Sequence, residues 1–266
     1  MILFHILAAT LVGGAVSVLA AASLSMSLLK RLVQQLVSLS VGMLLGTSML
    51  QLVPEAFEAD IDPHALGWVL LAGLVGFFLL EKLAILRHSH HHEGDGHGHR
   101  HGHDDLEAGP GGMLILVGDS IHNFTDGVLI AAAFLIDVHL GWVTTLAIAA
   151  HEIPQEIGDF IVLLNAGYSR GRAFVYNLVS GLAAVVGGVC GYFALERSQH
   201  LVPYAICLAA ASFIYIALAD LIPDMHRQSR RRAGGAERAR DSLVQIVWML
   251  AGIAIIAVVS SFVHHH

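Results

Sequence analysis

The sequence predicts an all-α membrane protein that crosses the bilayer with eight helices. Hydrophobic residues make up 56% of the 266 positions and charged residues only 13%, where a soluble domain carries about 25% charged residues. The apolar residues are collected into runs of about 20, the length at which an α-helix spans a bilayer. The formal net charge of -7 offers no basic surface for nucleic acid, so nucleic acid is not an expected partner. The expected surroundings of the apolar helices are lipid.

The eight predicted helices follow one another along a single transmembrane domain, residues 1–266. Helix 1 has no basic segment before it and no small-residue cleavage site after it, so we expect it to be retained rather than removed as a signal peptide. In chain order, the eight helices cover residues 2–26, 33–54, 64–86, 112–136, 142–165, 173–195, 201–223 and 242–263.

The basic residues predict the orientation of these helices. The chain has 14 Lys and Arg residues: Lys82 lies near the end of helix 3, and all the others except Arg197 follow helix 1, 3, 5 or 7. Because basic connections favour the cytoplasm, both termini are predicted outside, and the connections 87–111 and 225–241 are predicted in the cytosol. A compact chain rich in Ala, Gly and Arg, with no targeting extension, suggests a bacterial inner membrane.

The 87–111 connection is low in complexity. Its residues 88–105 are mostly His, Gly and acids, a composition that builds no core but whose neutral imidazoles bind transition metals. Two interpretations stay open, a solvated linker and a weak cytosolic metal buffer or sensor. The last three histidines, 264–266, match a purification tag and are left aside.

Two helix ends resemble each other. Helix 2 and helix 7 both end in an aliphatic pair followed by proline and an acid, at 52–55 and 221–224, and they run in opposite directions in the predicted topology. Inverted repeats of this kind are typical of secondary transporters. We therefore expect an inverted repeat of helices 1–3 and 6–8 that flanks helices 4 and 5. The alternative is two ordinary helix ends that happen to contain proline.

Polar residues interrupt the apolar pattern of helices 4 and 5. A charged side chain at bilayer depth costs about 3 kcal/mol, so such a cluster predicts a functional site. In helix 4 the spacing i, i+3, i+4 and i+7 puts four residues on one face: Asp119, His122, Asn123 and Asp126. Helix 5 adds imidazole, amide and carboxylate groups: His151, Glu152, Gln155, Glu156 and Asp159.

These nitrogen and oxygen donors predict a metal site between the two helices. Their mixture suits zinc and other first-row divalent ions better than copper(I), which prefers sulfur. Pro154 lies inside helix 5, where it releases the carbonyl of Ala150 and predicts a kink. The alternative is a buried polar contact between helices that binds no metal.

The sequence argues against an enzyme. His151 and Glu152 begin like the HExxH motif of zinc proteases, but Gln155 stands where the second histidine ligand would be, and Pro154 interrupts the turn. The sequence contains no nucleophile elbow, Walker loop or dinucleotide fingerprint. It therefore predicts no organic cofactor and no ATP-driven pump.

The motifs HNFTDG in helix 4 and HEIPQEIGDF in helix 5 resemble those of the ZIP family of divalent-metal transporters. They are similar to the branch with HNFTDG and HExPHExGD, and the resemblance extends to eight helices, outside termini and a His-rich loop between helices 3 and 4. It implies transport of zinc toward the cytosol, with cadmium, iron or manganese as further substrates. It also implies a homodimer and a movement of helices 1, 4, 5 and 6 against helices 2, 3, 7 and 8.

The resemblance also implies which residues bind the metal. The ligands that it assigns on helices 4 and 5 are His122, Asn123, Asp126, His151 and Glu152. Outer residues commonly hold metal ligands in place through hydrogen bonds. The residues expected to orient the ligands, to take up protons or to bind weakly at the periphery are Asp119, Gln155, Glu156, Asp159 and Met43.

This sequence departs from the family pattern at three positions. Gln155 replaces a histidine, Ala184 stands where many members have a helix 6 glutamate, and Gln51 replaces a helix 2 histidine. Each change removes a strong ligand, so we expect one main metal site rather than a pair. Two alternatives to transport stay open, an intramembrane zinc metallohydrolase and a metal-binding receptor without flux.

Overall fold

The computed structural model describes residues 1–23, 26–59, 61–89, 110–165, 167–223, 225–226 and 235–261. Almost all of these residues are helical, and none of them lies in a strand. This confirms the predicted all-α class. Most of the His-rich connection, much of the basic connection after helix 7 and the terminal histidines lie outside the described residues.

The described helices follow the predicted order and are named α1 to α8 accordingly. Six of them are uninterrupted: α1 Ile2–Ser23, α3 Pro63–Ser89, α4 Pro110–Ile136, α5 Val138–Asn165, α6 Arg170–Glu196 and α8 Gly235–Ser261. The other two contain a π-helical turn: α2 joins Met26–Thr47, the turn Ser48–Leu52 and Val53–Glu58, and α7 joins Val202–Tyr215 and the turn Ile216–Leu221.

Helix α8 begins at Gly235, inside the connection predicted at 225–241. The apolar run that sets the predicted start begins later in the sequence. A helix continues beyond its apolar part because its backbone hydrogen bonds do not require apolar side chains.

Five stretches of the described helices are long and apolar enough to cross a membrane: Ile2–Leu19, Gln35–Glu58, Arg170–Glu196, Gln199–Leu221 and Ala239–Ser261. The apolar stretch of α3, Pro63–Leu79, is shorter. The helices α4 and α5 are not among the five, since acids and histidines lower their hydropathy. The five spans identify an integral membrane protein.

The two polar helices lie inside the bundle. Helix α4 contacts α1, α5, α6 and α7, and helix α5 contacts α1, α2, α4 and α6. By contrast, α8 packs mainly on α2, and its residues Leu243, Val247 and Leu250 are exposed apolar side chains. Apolar residues therefore face outward at the periphery, as in a helix bundle surrounded by lipid, while the polar residues are enclosed.

The two helix ends that resemble each other in sequence also share a local structure. In α2 the π-helical turn Ser48–Leu52 comes just before Pro54, and in α7 the turn Ile216–Leu221 comes just before Pro223. Proline has no backbone N–H to donate, and a π-helical turn is one way for a helix to absorb the lost hydrogen bond.

Candidate metal site

Helices α4 and α5 form a hairpin with a very short turn at Asp137. The Asp137 carboxylate accepts hydrogen bonds from the backbone N–H groups of His139, at 2.8 Å, and Leu140, at 3.1 Å. This caps the start of α5. Because the turn is short, the helices pack side by side, and His122 and His151, at similar distances along the chain from the turn, lie at the same level.

Four side chains converge between the two helices, and we call them the histidine cluster: His122, Asp126, His151 and Glu152. Each offers one nitrogen or oxygen, and these atoms all lie within 4.8 Å of one another. The Nε2 atoms of His122 and His151 are 3.2 Å apart. The prediction that the two polar helices bring imidazoles and carboxylates around one point is thus reproduced in the structure.

The spacing of these atoms matches a zinc ion. His151 Nε2 lies 3.3 Å from Asp126 Oδ2 and 3.6 Å from Glu152 Oε1. His122 Nε2 lies 3.7 Å and 3.4 Å from the same two oxygens. In tetrahedral zinc sites the ligands are about 2.0–2.2 Å from the metal, which places them roughly 3.4 Å from one another.

Burial makes the histidine cluster costly without a cation. Asp126 and Glu152 are 1% and 3% exposed, and no hydrogen bond from the described part of the chain reaches the oxygens of either carboxylate. Among the described residues their ion-pair partners are the two imidazoles. Buried carboxylates without compensation are strongly unfavourable, and a divalent cation would supply that compensation.

The cluster has one accessible ligand and one that is fixed from behind. The side chain of His122 is 25% exposed, whereas that of His151 is 1% exposed. His151 Nδ1 lies 3.3 Å from the carbonyl oxygen of Ala147. In the tautomer that donates this bond, the lone pair of Nε2 is free to bind a metal.

The amide nitrogen of Asn123 is held by its own helix. Its Nδ2 donates to the backbone carbonyl of Asp119, at 3.1 Å, one turn earlier in α4. The buried side chain instead lines a small cavity beside Asp126 and Glu152. Its predicted role as a ligand stays a prediction.

The residues expected around the ligands occupy different positions. Gln155 Nε2 donates to Asp119 Oδ1 at 3.2 Å, so Gln155 holds a carboxylate of α4. Met43 is buried against Val143 and Ile256 in an apolar cluster. Asp159 is partly buried and Glu156 fully buried.

Pro154 lies inside α5, as the sequence indicates, and the carbonyl of Ala150 that it frees has a partner from another helix. The hydroxyl of Ser40 in α2 lies 2.5 Å from the Ala150 oxygen and 2.7 Å from the Leu36 oxygen of its own helix. A hydroxyl that bonds the freed carbonyl links α2 to α5 one residue before His151. Sequence reasoning missed Ser40, because a serine in an apolar helix commonly bonds only its own backbone.

A cavity of about 20 Å³ reaches the histidine cluster from the end at which α4 and α5 are joined. Ile130 and Thr145 line it on the side of the hairpin turn, and Asp126 and Glu152 line it at the site. Helices α1 and α6 complete the wall with Thr10, Gly14 and Ala184. The small side chain of Ala184 therefore adjoins this space.

Close helix packing holds α4 in place. A Cβ atom added at Gly127 would collide with the backbone carbonyl of Ala184 in α6, and one added at Gly187 would collide with the carbonyl of Phe124. Gly127 immediately follows the ligand Asp126. The glycine of the HNFTDG motif is thus required for contact between α4 and α6, a reason that the sequence alone does not show.

Comparisons with known proteins show what the chain as a whole is similar to. The chain matches the family described as ZIP Zinc transporter over residues 84–260. It is 31% identical over 249 residues to the zinc transporter ZIP13 of Pongo abelii, which covers 86% of this chain and 67% of that protein. It is 38% identical over 149 residues to the zinc transporter foi of Drosophila melanogaster, which covers 56% of this chain and 20% of that protein.

A further relative is the metal cation symporter ZIP14 of Xenopus tropicalis. It is 35% identical over 149 residues, which covers 56% of this chain and 32% of that protein. The chain therefore spans about two thirds of the ZIP13 relative and much smaller parts of the foi and ZIP14 relatives.

Proposed function

Because this chain belongs to the ZIP family of zinc transporters, we propose that it carries zinc across the membrane toward the cytosol through the histidine cluster of α4 and α5. The observation that supports this most is the set of four donors at zinc spacing, buried between two helices inside the bundle. In this proposal the ion held by the cluster is the transported substrate.

The chemistry of transport follows from the geometry of the cluster. The cavity between α1, α4 and α5 has room for about one water, so an ion in it has shed most of its hydration and meets Asp126 and Glu152, which line the cavity. The two carboxylates replace part of its water, and the Nε2 atoms of His122 and His151 complete a tetrahedral set. The imidazoles favour zinc over magnesium and calcium, which prefer oxygen ligands.

A hydrolytic role has less support. The zinc-protease motif needs a second histidine at position 155, and Gln155 there donates to Asp119. Members of this family are transporters rather than enzymes. A receptor that binds zinc without flux would use the same ligands, and only a transport measurement separates it from a carrier. Cadmium, iron and manganese are further substrates to test, since the same ligands bind several divalent ions.

The finer topology belongs to the same proposal. The chain crosses the membrane eight times with both termini outside, and helices 1–3 and 6–8 form an inverted repeat around helices 4 and 5. The π-helical turns of α2 and α7, each followed by proline, support the repeat. A homodimer and a bacterial inner membrane are further predictions, and the relatives named above, all from animals, give no support for a bacterial host.

The test is zinc uptake into proteoliposomes by two single variants, His122→Ala and Asp126→Ala. Each removes one of four ligands, and loss of a ligand costs more than the roughly 10–100-fold in affinity that follows loss of a residue behind a ligand. We expect uptake to fall to the background of empty liposomes while the protein remains folded.

The matched control is Thr125→Ala, in the same motif. Its hydroxyl bonds only the Ile121 carbonyl of its own helix, so uptake should be unchanged. Normal zinc uptake by either ligand variant would refute the site. Tight zinc binding by the unmodified protein with no uptake would favour the receptor.

A further inference from the structure

We propose that Asp119, Glu152 and Glu156 hold a second divalent cation, one helical turn from the histidine cluster and toward the end of α4 and α5 that is remote from their hairpin turn. We call these three residues the acid cluster. Each offers one carboxylate oxygen, and the three oxygens lie within 4.8 Å of one another. The role in ion release argued below rests on the zinc transport proposed above, whereas the binding itself does not.

The acid cluster is buried, and among the described residues its ion-pair partners are the two imidazoles that contact Glu152 from the histidine cluster. Asp119 and Glu152 are 5% and 3% exposed, and Glu156 is fully buried. Asp119 Oδ2 and both oxygens of Glu152 and Glu156 lack a hydrogen-bond partner. Two unit charges about 4 Å apart repel by about 4 kcal/mol at an effective dielectric constant near 20, so three ionised carboxylates need a cation between them.

A buried amide from another helix adjoins Glu156. Asn177 of α6 is fully buried, and its Nδ2 donates to the backbone carbonyl of Glu156 at 3.2 Å. The remaining amide oxygen, Asn177 Oδ1, has no hydrogen-bond donor. Amide and carboxylate oxygens are the ligands that manganese, magnesium and calcium prefer.

Hydrogen bonds around the acid cluster leave its oxygens available to a metal. Gln155 Nε2 donates to Asp119 Oδ1 and thereby fixes that carboxylate, while Oδ2 of the same group has no partner. The acid cluster uses neither Gln155 nor Ala184 as a ligand. The sequence predicted a single main site because Gln155 and Ala184 stand where the family has stronger ligands. That difference does not affect the acid cluster.

The position of the acid cluster fits a step in ion release. Asp119 precedes His122 by three residues in α4, and Glu156 follows Glu152 by four residues in α5. Because the helices are antiparallel, Asp119 and Glu156 are both shifted away from the hairpin turn, by about 5 Å at a rise of 1.5 Å per residue. In the predicted topology this is the cytosolic direction, so Glu152 belongs to both clusters and can pass the ion from one to the other.

The difference in donors gives the transfer a chemical reason. The histidine cluster supplies two imidazoles, which zinc prefers, and the acid cluster supplies oxygen alone. An all-oxygen site holds zinc less tightly, so the ion can leave it more readily. We therefore expect the acid cluster to bind manganese nearly as well as zinc, and the histidine cluster to prefer zinc.

The test counts bound manganese on the purified full chain in detergent and examines its ligands by electron paramagnetic resonance. The unmodified protein should bind two Mn²⁺ per chain, one of them with coupling to imidazole nitrogen and one without. Asp119→Asn combined with Glu156→Gln should lose the ion without nitrogen coupling and keep the other. His122→Ala should show the reverse, because it leaves the acid cluster intact.

Controls separate loss of a ligand from loss of the fold. Glu156→Gln alone removes one charge with almost no change in shape, and its melting temperature without metal should not fall, because carboxylate repulsion is relieved. Glu58→Gln, the same change at an exposed site, should retain both ions. If Glu156→Gln fails to fold, Asp119→Asn decides instead. Its Oδ1 can accept the hydrogen bond from Gln155 both as a carboxylate oxygen and as an amide oxygen.

Two outcomes would overturn the proposal. One is a single Mn²⁺ per chain in the unmodified protein, which would mean that the acids share protons instead of a metal. The other is two ions that both persist in the double variant. Neither outcome changes the result expected for zinc uptake by His122→Ala, so the proposed zinc transport does not depend on the second site. Two bound ions without uptake would sustain the second site and reject transport.

Discussion

The histidine cluster and the acid cluster share Glu152 and lie on the same two helices, yet their surroundings differ. The histidine cluster adjoins a cavity, and its His122 side chain is 25% exposed. The acid cluster is enclosed, with Glu156 fully buried. Access thus changes along the hairpin, since Asp126 and Glu152 line the cavity and Asp119 and Glu156 do not.

Apolar packing accounts for the enclosed end. Leu116 of α4, Ile157 and Phe160 of α5, and Ala173 of α6 form one buried cluster. These residues lie beyond the acid cluster, away from the hairpin turn. In this conformation the path beyond the acid cluster is therefore closed by side chains, while the histidine cluster is open to its cavity. For an ion to leave in that direction, these helices must move apart.

The largest expected effect comes from exchanging nitrogen for oxygen in the histidine cluster. His122→Asp keeps a metal ligand but removes an imidazole that zinc favours. We expect zinc affinity to fall by at least the roughly tenfold to 100-fold that follows loss of a residue behind a ligand, with a smaller loss for manganese. Competition binding with both metals on purified protein measures the two changes.

His139→Asp is the matched control, since His139 is exposed at the start of α5. It should leave both affinities unchanged. Equal losses of zinc and manganese affinity in His122→Asp would remove the distinction between the two clusters.

A smaller effect is expected from Gly127→Ala, which tests whether the histidine cluster depends on contact between α4 and α6. The added Cβ would meet the backbone of Ala184 and Gly188, and overpacking of this kind costs about 1–3 kcal/mol. The shift of Asp126 should weaken zinc binding several-fold and lower the melting temperature. Binding at the acid cluster, two turns away in α4, should change less.

Gly118→Ala gives the comparison for Gly127→Ala on the same helix. A Cβ at Gly118 would meet nothing within 4 Å, so melting temperature and zinc binding should match the unmodified protein. If Gly127→Ala behaves like Gly118→Ala, the close contact with α6 does not position the ligand.

The smallest expected effect is that of Ser40→Ala, which removes the hydroxyl beside the Ala150 carbonyl freed by Pro154. A buried hydrogen bond contributes about 1 kcal/mol, and for a chain of this length that lowers the melting temperature by about 2–4 °C. Zinc affinity should fall slightly because Ala150 precedes His151. Thermal unfolding with and without zinc measures both changes.

Ser17→Ala is a suitable control, because the Ser17 hydroxyl is also buried but bonds only carbonyls of its own helix, those of Gly13 and Gly14. A drop in melting temperature as large as that of Ser40→Ala would show that any buried serine has this effect, and that the link between α2 and α5 contributes nothing of its own.

Much of the fold was predictable because it depends on local patterns. The order of the helices follows from apolar runs of about bilayer length, and the structure places helices over all eight. Boundaries were less predictable: α5 begins at Val138, four residues before its predicted start, because the Asp137 cap nucleates it. A capping side chain sets a helix start independently of hydropathy.

The candidate site was predictable to a similar extent. His122, Asp126, His151 and Glu152 stand out as polar residues in apolar helices, and they meet in the structure. Asn123 stands out equally, yet its amide bonds the backbone of its own helix. The sequence cannot distinguish a polar side chain that meets another helix from one that bonds its own backbone, since both kinds lie on the same face of the helix.

The sequence by itself determined which faces of helices 4 and 5 are polar, because the 3.6-residue period fixes how side chains are arranged along one helix. Only the tertiary structure decided which atoms meet between helices: that Ser40 bonds the Ala150 carbonyl, that Gly127 lies against Ala184, and that the acids at 119, 152 and 156 form one group. Those contacts depend on how far each helix is rotated and shifted against its neighbour, and packing of the whole bundle sets both.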